Sequence, residues 1–128
     1  MGKEPIIIVS GEPNSIFLEI FFKSLKANTY KSPLIIIVSK KLLQKQMRKL
    51  DFDFKINDIN KKLKDFSKLN NNQINLINVD FDFNKCFDKI TSKSNKYIEK
   101  AFKTALNFIK QNNLSKFING PVSKKSFL

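Results

Sequence analysis

The sequence has no histidine and no tryptophan, one cysteine (Cys86), one arginine (Arg48) and three glycines in 128 residues. Without histidine there is no imidazole to hold a metal, build a catalytic triad or move protons near neutral pH. A single cysteine excludes an internal disulfide and a cysteine-based zinc site. It also lacks the partner that a Cys–His nucleophile needs, so Cys86 reads as a small buried hydrophobe. No apolar run approaches the roughly 18 residues of a membrane span, so no membrane partner is expected. The start, Met1-Gly2-Lys3-Glu4-Pro5, lacks the apolar core of a secretory signal, and a cytoplasmic location is expected.

Acidic residues are also few: 11 against 24 basic ones, for a net charge of +13. Such an excess invites a nucleic-acid or anionic partner. Composition supplies another cause. Lys, Ile, Asn and Phe make up 67 of the 128 residues, and all four are encoded by AT-rich codons. With Arg48 alone, the guanidinium forks that read phosphate or guanine bidentately are missing, so no nucleic-acid partner is expected. The 13 phenylalanines fit a core better than a base-stacking platform. With 41% hydrophobic residues, the chain can bury a core and form a single domain over 1–128.

Residues Ile6 to Val9 form an unbroken β-branched run between Pro5 and Ser10-Gly11, the pattern of a strand buried on both faces. The turn Gly11-Glu12-Pro13-Asn14-Ser15 leads into a helix reaching about Ala27. Asn14 or Ser15 is its expected cap, and Ile16, Ile20 and Leu25 are among its expected buried residues. Leu34 to Val38 repeats the buried strand. Ser39 is the expected cap of a helix carrying Leu42, Leu43, Met47 and Leu50. Phe52, Phe54 and Ile56 alternate as in a half-exposed strand. Ile59, Leu63, Phe66 and Leu69 suggest a short helix, Asn70-Asn71-Asn72 a surface loop, and Ile74 to Val79 another strand. Ile98, Ala101, Phe102, Ala105, Leu106 and Ile109 form one helical stripe that Asn112-Asn113 ends. Lys116 to Asn119 is a short strand. Ser123 is the expected cap of an element that begins at Lys124 and has room for about one turn. Strands separated by helical crossovers indicate an α/β fold with a mostly parallel sheet flanked by helices. The unfinished last unit leads to the expectation of an incomplete layer.

Two turns carry the candidate chemistry. Gly11, Glu12, Pro13 and Asn14 sit where the first strand hands over to a helix, the usual ligand position in open α/β sheets. Free N–H groups and the helix dipole favour an anion there. The segment is neither a dinucleotide fingerprint nor a P-loop. Gly120-Pro121-Val122-Ser123-Lys124 repeats the geometry after the last strand, with Gly120 allowing close approach and Lys124 offering a charge to a phosphate or carboxylate. Asp51, Asp53, Asp58, Asp80, Asp82 and Asp88 are scattered. Asp80 and Asp82, near a strand end, read as surface residues rather than metal ligands.

Together the two turns resemble a known family. The stretch Ile6-Ile7-Ile8-Val9-Ser10-Gly11-Glu12-Pro13-Asn14-Ser15-Ile16-Phe17-Leu18-Glu19-Ile20 resembles the amino-terminal signature of 4-hydroxythreonine-4-phosphate dehydrogenase, a strand followed by Gly-Glu-Pro-x-Gly-Ile-Gly-Pro-Glu. The helix Tyr97 to Lys110, followed by Phe117-Ile118-Asn119-Gly120-Pro121-Val122-Ser123-Lys124, resembles that family's helix, strand and Thr-Gly-Pro-Val/Ile-x-Lys segment. Ser15, Phe17 and Leu18 stand where the family has Gly, Gly and Pro, and Ser123 where it often has His.

The resemblance implies an isocitrate/isopropylmalate dehydrogenase-like fold. It covers this whole chain but only about the first 40% of a family member, so 1–128 is expected to be the incomplete amino-terminal part of a two-domain enzyme. It further implies NAD-dependent oxidation, with decarboxylation, of a small phosphorylated substrate in vitamin B6 synthesis. A divalent metal and a homodimer with an interfacial cleft complete the implied picture. The implied metal ligands and substrate-binding His-Thr pair lie beyond Leu128. Gly11, Glu12, Pro13 and Asn14 are then the expected cofactor side, Gly120 and Lys124 the expected substrate side, and the chain alone is expected to be inactive. Two other readings stay open: a small basic module for nucleic acid or an anionic partner, and an interaction subunit completed by another chain.

Overall fold

The computed structural model describes residues 4–13, 16–81 and 92–120. In chain order the elements are β1 (Ile6–Val9), α1 (Phe17–Ala27), β2 (Leu34–Val38), α2 (Lys40–Lys49), β3 (Ile56–Asp58), β4 (Ile74–Asn78), α3 (Ser92–Asn112) and β5 (Phe117–Asn119). The strands form one sheet in the order β3-β4-β2-β1-β5, and every pairing is parallel. The expected α/β class is therefore observed, with a sheet that is parallel throughout its described strands.

The period-2 alternation of the apolar runs divides the core into two layers. Ile8, Leu34, Ile36, Val38, Ile74 and Leu76 face Leu18, Phe21 and Phe22 of α1 and Leu42, Leu43 and Met47 of α2. Ile7, Val9, Ile35, Ile37, Ile77 and Val79 face Tyr97, Ile98, Ala101, Ala105 and Phe108 of α3. Right-handed crossovers explain the division. The path β1 to β2 to β3 runs one way across the sheet and carries α1 and α2. The path β4 to β5 runs back and places α3 on the opposite face.

Ser39 caps α2 as expected, its hydroxyl accepting from the Leu42 N–H at 3.2 Å. Both α2 and α3 end in a left-handed residue, Asp51 (φ 61°) and Asn113 (φ 52°). After α2 the Phe52 N–H reaches the Met47 carbonyl and the Asp51 N–H the Arg48 carbonyl. After α3 the Leu114 N–H reaches Ile109 and the Asn113 N–H reaches Lys110. These are Schellman closures, with a non-glycine residue accepting the strained backbone.

Several expectations need correction. In α1 the buried side chains are Leu18, Phe21 and Phe22, with Leu25 half-buried, while Ile16 and Ile20 are 69% and 53% exposed. The sheet-facing stripe is 18, 21, 22 and 25; Ile16 precedes the helix, and Ile20 falls on the flank that shares a groove with Ile118 of β5. The residue before α1 is Ile16, without a capping side-chain bond; Asn14 and Ser15 lie outside the described residues. In α3 the buried set includes Tyr97 and Phe108, and Leu106 is 55% exposed, so the stripe is rotated from the expected one.

The strand expected from Phe52 begins only at Ile56. The Phe52 N–H is used in closing α2, and the Phe54 N–H donates to Met47 Sδ at 3.4 Å. Phe52 and Phe54 are nonetheless half-buried, stacked at 6.0 Å against the α2 layer. No helix forms between Ile59 and Leu69. There Asn60 and Asp65 accept from the backbone N–H groups of Lys62 and Ser67, side-chain bonds that compete with a helix. The asparagine loop is built into the fold: Asn71 accepts from the Leu34 N–H and donates to the Ser32 carbonyl.

Candidate crevice at the carboxyl ends of the strands

All five strands run the same way, so the turns that follow them lie along one edge of the sheet. The β1 and β5 strands are direct neighbours, with Val9 in register with Asn119. The Gly120 N–H donates to the Val9 carbonyl at 2.6 Å. A β-carbon on Gly120 would stand 2.0 Å from the Ser10 carbonyl oxygen and 2.9 Å from the Phe17 ring. Glycine is required there because the β1 turn occupies the place of a side chain. Gly120, which opens the second of the two turns, thus abuts Ser10, the residue before the first.

Gly11, Glu12 and Pro13 are buried in the β1 turn, and Gly11 takes φ 77°, the left-handed region that favours glycine. Glu12 is only 7% exposed. Gly120 is buried against Ser10. Asn14 and Lys124 lie outside the described residues, as do Asp82, Cys86, Asp88, Pro121, Val122 and Ser123.

The β2 and β4 turns complete this edge. The Lys40 N–H donates to Asn78 Oδ1 at 2.8 Å, and Asn78 Nδ2 donates to Asp80 at 3.0 Å. Asp80 is exposed. Lys40 Nζ meets Asp58 at 2.7 Å in an exposed ion pair. Beneath these turns, the Tyr97 hydroxyl accepts from the Ser39 N–H at 2.9 Å, and the buried Ser10 hydroxyl has no hydrogen-bond partner among the described residues. Burial pushes the phenol up to about 12, partly offset by the hydrogen bond from Ser39. Sequence reading missed Ser10 and Tyr97. The signal for Tyr97 was a phenol on an apolar helix face, because a buried hydroxyl needs a partner.

Among the described residues, no group of three or more His, Cys, Asp or Glu is placed to hold a metal, and the sequence contains no histidine. No described helix is long and apolar enough to cross a membrane. Among the described residues, the exposed large apolar ones are Ile16, Ile20, Leu106, Phe117 and Ile118. Phe117 and Ile118 belong to the edge strand β5, and Ile118 shares an apolar groove with Ile6, Phe17 and Ile20. Leu106 lies one turn from Phe102, which packs edge-on against Phe117 at 6.1 Å.

A family model described as pyridoxal phosphate biosynthetic protein PdxA matches residues 29–128. Similar folds occur in the solved 4-hydroxythreonine-4-phosphate dehydrogenases from Burkholderia phymatum (TM-score 0.79, 19% identity) and Klebsiella pneumoniae (TM-score 0.79, 14% identity). The first comparison covers 97% of this chain and 38% of the Burkholderia chain; the second covers 98% and 39%. This chain therefore spans about two-fifths of the length of those structures. No curated protein sequence matches it.

Proposed function

Since the chain belongs to the pyridoxal phosphate biosynthetic protein PdxA family, we propose that it forms the amino-terminal part of an NAD-dependent 4-hydroxythreonine-4-phosphate dehydrogenase. The substrate would be a phosphorylated hydroxy-amino acid, oxidised and then decarboxylated in vitamin B6 synthesis. The observation that carries the reading is the contact between the β1 and β5 turns, where Gly120 packs on Ser10. It sets the start of the family's second signature beside the first, at the end of a parallel sheet where ligands usually bind.

In this reading Gly11, Glu12, Pro13 and Asn14 line the cofactor side. The buried Glu12 carboxylate accepts from a hydroxyl or ammonium group. Gly120 lets the β5 turn approach, and Lys124 meets the substrate phosphate. Bound NAD would supply the hydride acceptor. The divalent metal implied by the family does not fit the residues of this chain, which offers neither histidine nor a described carboxylate cluster, and no step is derived through it.

The apolar exposure along β5 supports the view that a complete enzyme covers this edge. Accordingly, the chain alone binds NAD weakly and does not turn over substrate; the homodimer and its interfacial cleft belong to the full-length protein. Calorimetric titration with NAD, alongside an assay for reduced cofactor, tests both parts. Weak NAD binding without turnover is expected. Substrate turnover by the purified chain would overturn the claim of inactivity, and no binding would overturn the cofactor assignment. Affinity for a DNA duplex that falls steeply with salt would favour a basic binding module instead.

A further inference from the structure

Asn119–Gly120 is the one Asn-Gly pair in the 128 residues. In a free chain such a pair is chemically labile. The glycine nitrogen attacks the asparagine side-chain carbonyl carbon, ammonia leaves, and a five-membered succinimide forms. Water then opens the ring to aspartate or, by cleavage on the other side, to isoaspartate. Glycine suits the closure because it puts no side chain in the way and lets the backbone turn. In the fold that nitrogen is engaged: the Gly120 N–H donates to the Val9 carbonyl at 2.6 Å. Asn119 lies in β5 in register with Val9, and its own Nδ2 donates to the Gly120 carbonyl at 3.0 Å. Gly120 is also packed against the Ser10 carbonyl, which a β-carbon would meet at 2.0 Å, so its backbone has little room to turn. The attack therefore requires β5 to leave β1. That strand has three residues, all with exposed side chains, and among the described strands it pairs with β1 alone. A short edge strand of this kind opens more readily than the buried strands beside it.

We propose that Asn119–Gly120 is a deamidation site guarded by the joint between β1 and β5. Ring closure waits for β5 to leave β1, and the isoaspartyl product, whose main chain is one carbon longer, keeps Gly120 from returning to Ser10. The overall change consumes water and releases ammonia, and needs no other reactant. The inference is independent of the cofactor assignment above.

The test incubates the full chain at mildly alkaline pH, folded and in concentrated urea. Peptide mapping by mass spectrometry follows the exchange of NH2 for OH at 119, and chromatography resolves isoaspartate from aspartate. Modification about tenfold slower in the folded chain is expected. Phe117→Ala removes the ring packed on Phe102 at 6.1 Å; it should raise the folded rate and leave the rate in urea alone. In the purified isoaspartyl chain, the amides of Gly120 and of Ile7, which donates to the Lys116 carbonyl at 3.1 Å, should exchange faster by nuclear magnetic resonance, with the β2–β4 pairing unchanged. Asn119→Asp carries the same charge without the longer main chain, and should keep both amides protected. Equal rates in the folded and unfolded chain, or a folded rate unmoved by Phe117→Ala, overturn the guard. No modification at 119 in urea removes the site. An isoaspartyl chain with Gly120 as protected as in the parent, or Asn119→Asp with both amides equally exposed, overturns the proposed effect of chain length.

Discussion

Replacing Gly120 by alanine tests the joint between the two turns. The added methyl would meet the Ser10 carbonyl oxygen at 2.0 Å and the carbonyl carbon at 2.7 Å, whereas ordinary contact begins near 3.4 Å. The obstacle is backbone, and β1 cannot retreat easily because it is paired with β2 on one side and β5 on the other. Relief must come from opening the β1–β5 ladder at its carboxyl end, where the Gly120 N–H holds the Val9 carbonyl. Overpacking typically costs 1–3 kcal/mol, and a rigid neighbour places this case near the top, at about 3 kcal/mol. For a chain of this size that corresponds to a Tm lower by roughly 10 °C. Urea unfolding followed by circular dichroism should show a lower midpoint with unchanged slope. Gly11→Ala supplies the comparison: its φ of 77° makes a side chain strained by about 1 kcal/mol. Stability of Gly120→Ala within about 0.5 kcal/mol of the parent would refute the close approach of the two turns.

Three further outcomes follow from the same geometry. Ser39→Ala should lower stability by about 1 kcal/mol in urea unfolding, because the Leu42 N–H loses its cap. The Tyr97 phenol, raised from 10.0 to about 12 when folded, makes the native state hold its proton more tightly than the unfolded state. Its stabilisation is complete below pH 10 and falls by about 3 kcal/mol as pH rises through 12; unfolding at stepped alkaline pH should show a shallower decline in Tyr97→Phe. Asp58→Asn breaks only the exposed pair with Lys40, and thermal melts should move by less than about 0.5 kcal/mol equivalent.

The layer structure was legible because β1 and β2 are short, wholly apolar runs with a turn former at each end, and β4 follows them with Ile74, Leu76 and Ile77. Only burial on both faces explains such runs, and only a parallel sheet with helices on each side provides it. Gly11 and Gly120 were legible as the residues at which the chain leaves β1 and β5. Helix faces were harder to read. Ile16 precedes the helix and Ile20 lies toward the β5 edge, yet both are apolar, so composition could not separate them from Leu18 and Phe22. The segment between Phe52 and Leu69 misled for a different reason. Its phenylalanines and leucines pack against the core at strand-like or helix-like intervals, while Met47, Asn60 and Asp65 take the N–H groups that a regular element would use. The hydrogen bond from the Ser39 N–H to Tyr97 joins two distant stretches, and nothing local announces it.

The most direct measurement is a nuclear magnetic resonance titration of the labelled chain with NAD, following the amides of Gly11 and Gly120. Both are expected to move together along one binding curve, because Gly120 packs on Ser10 beside Gly11. Movement of neither, or of one without the other, would contradict this.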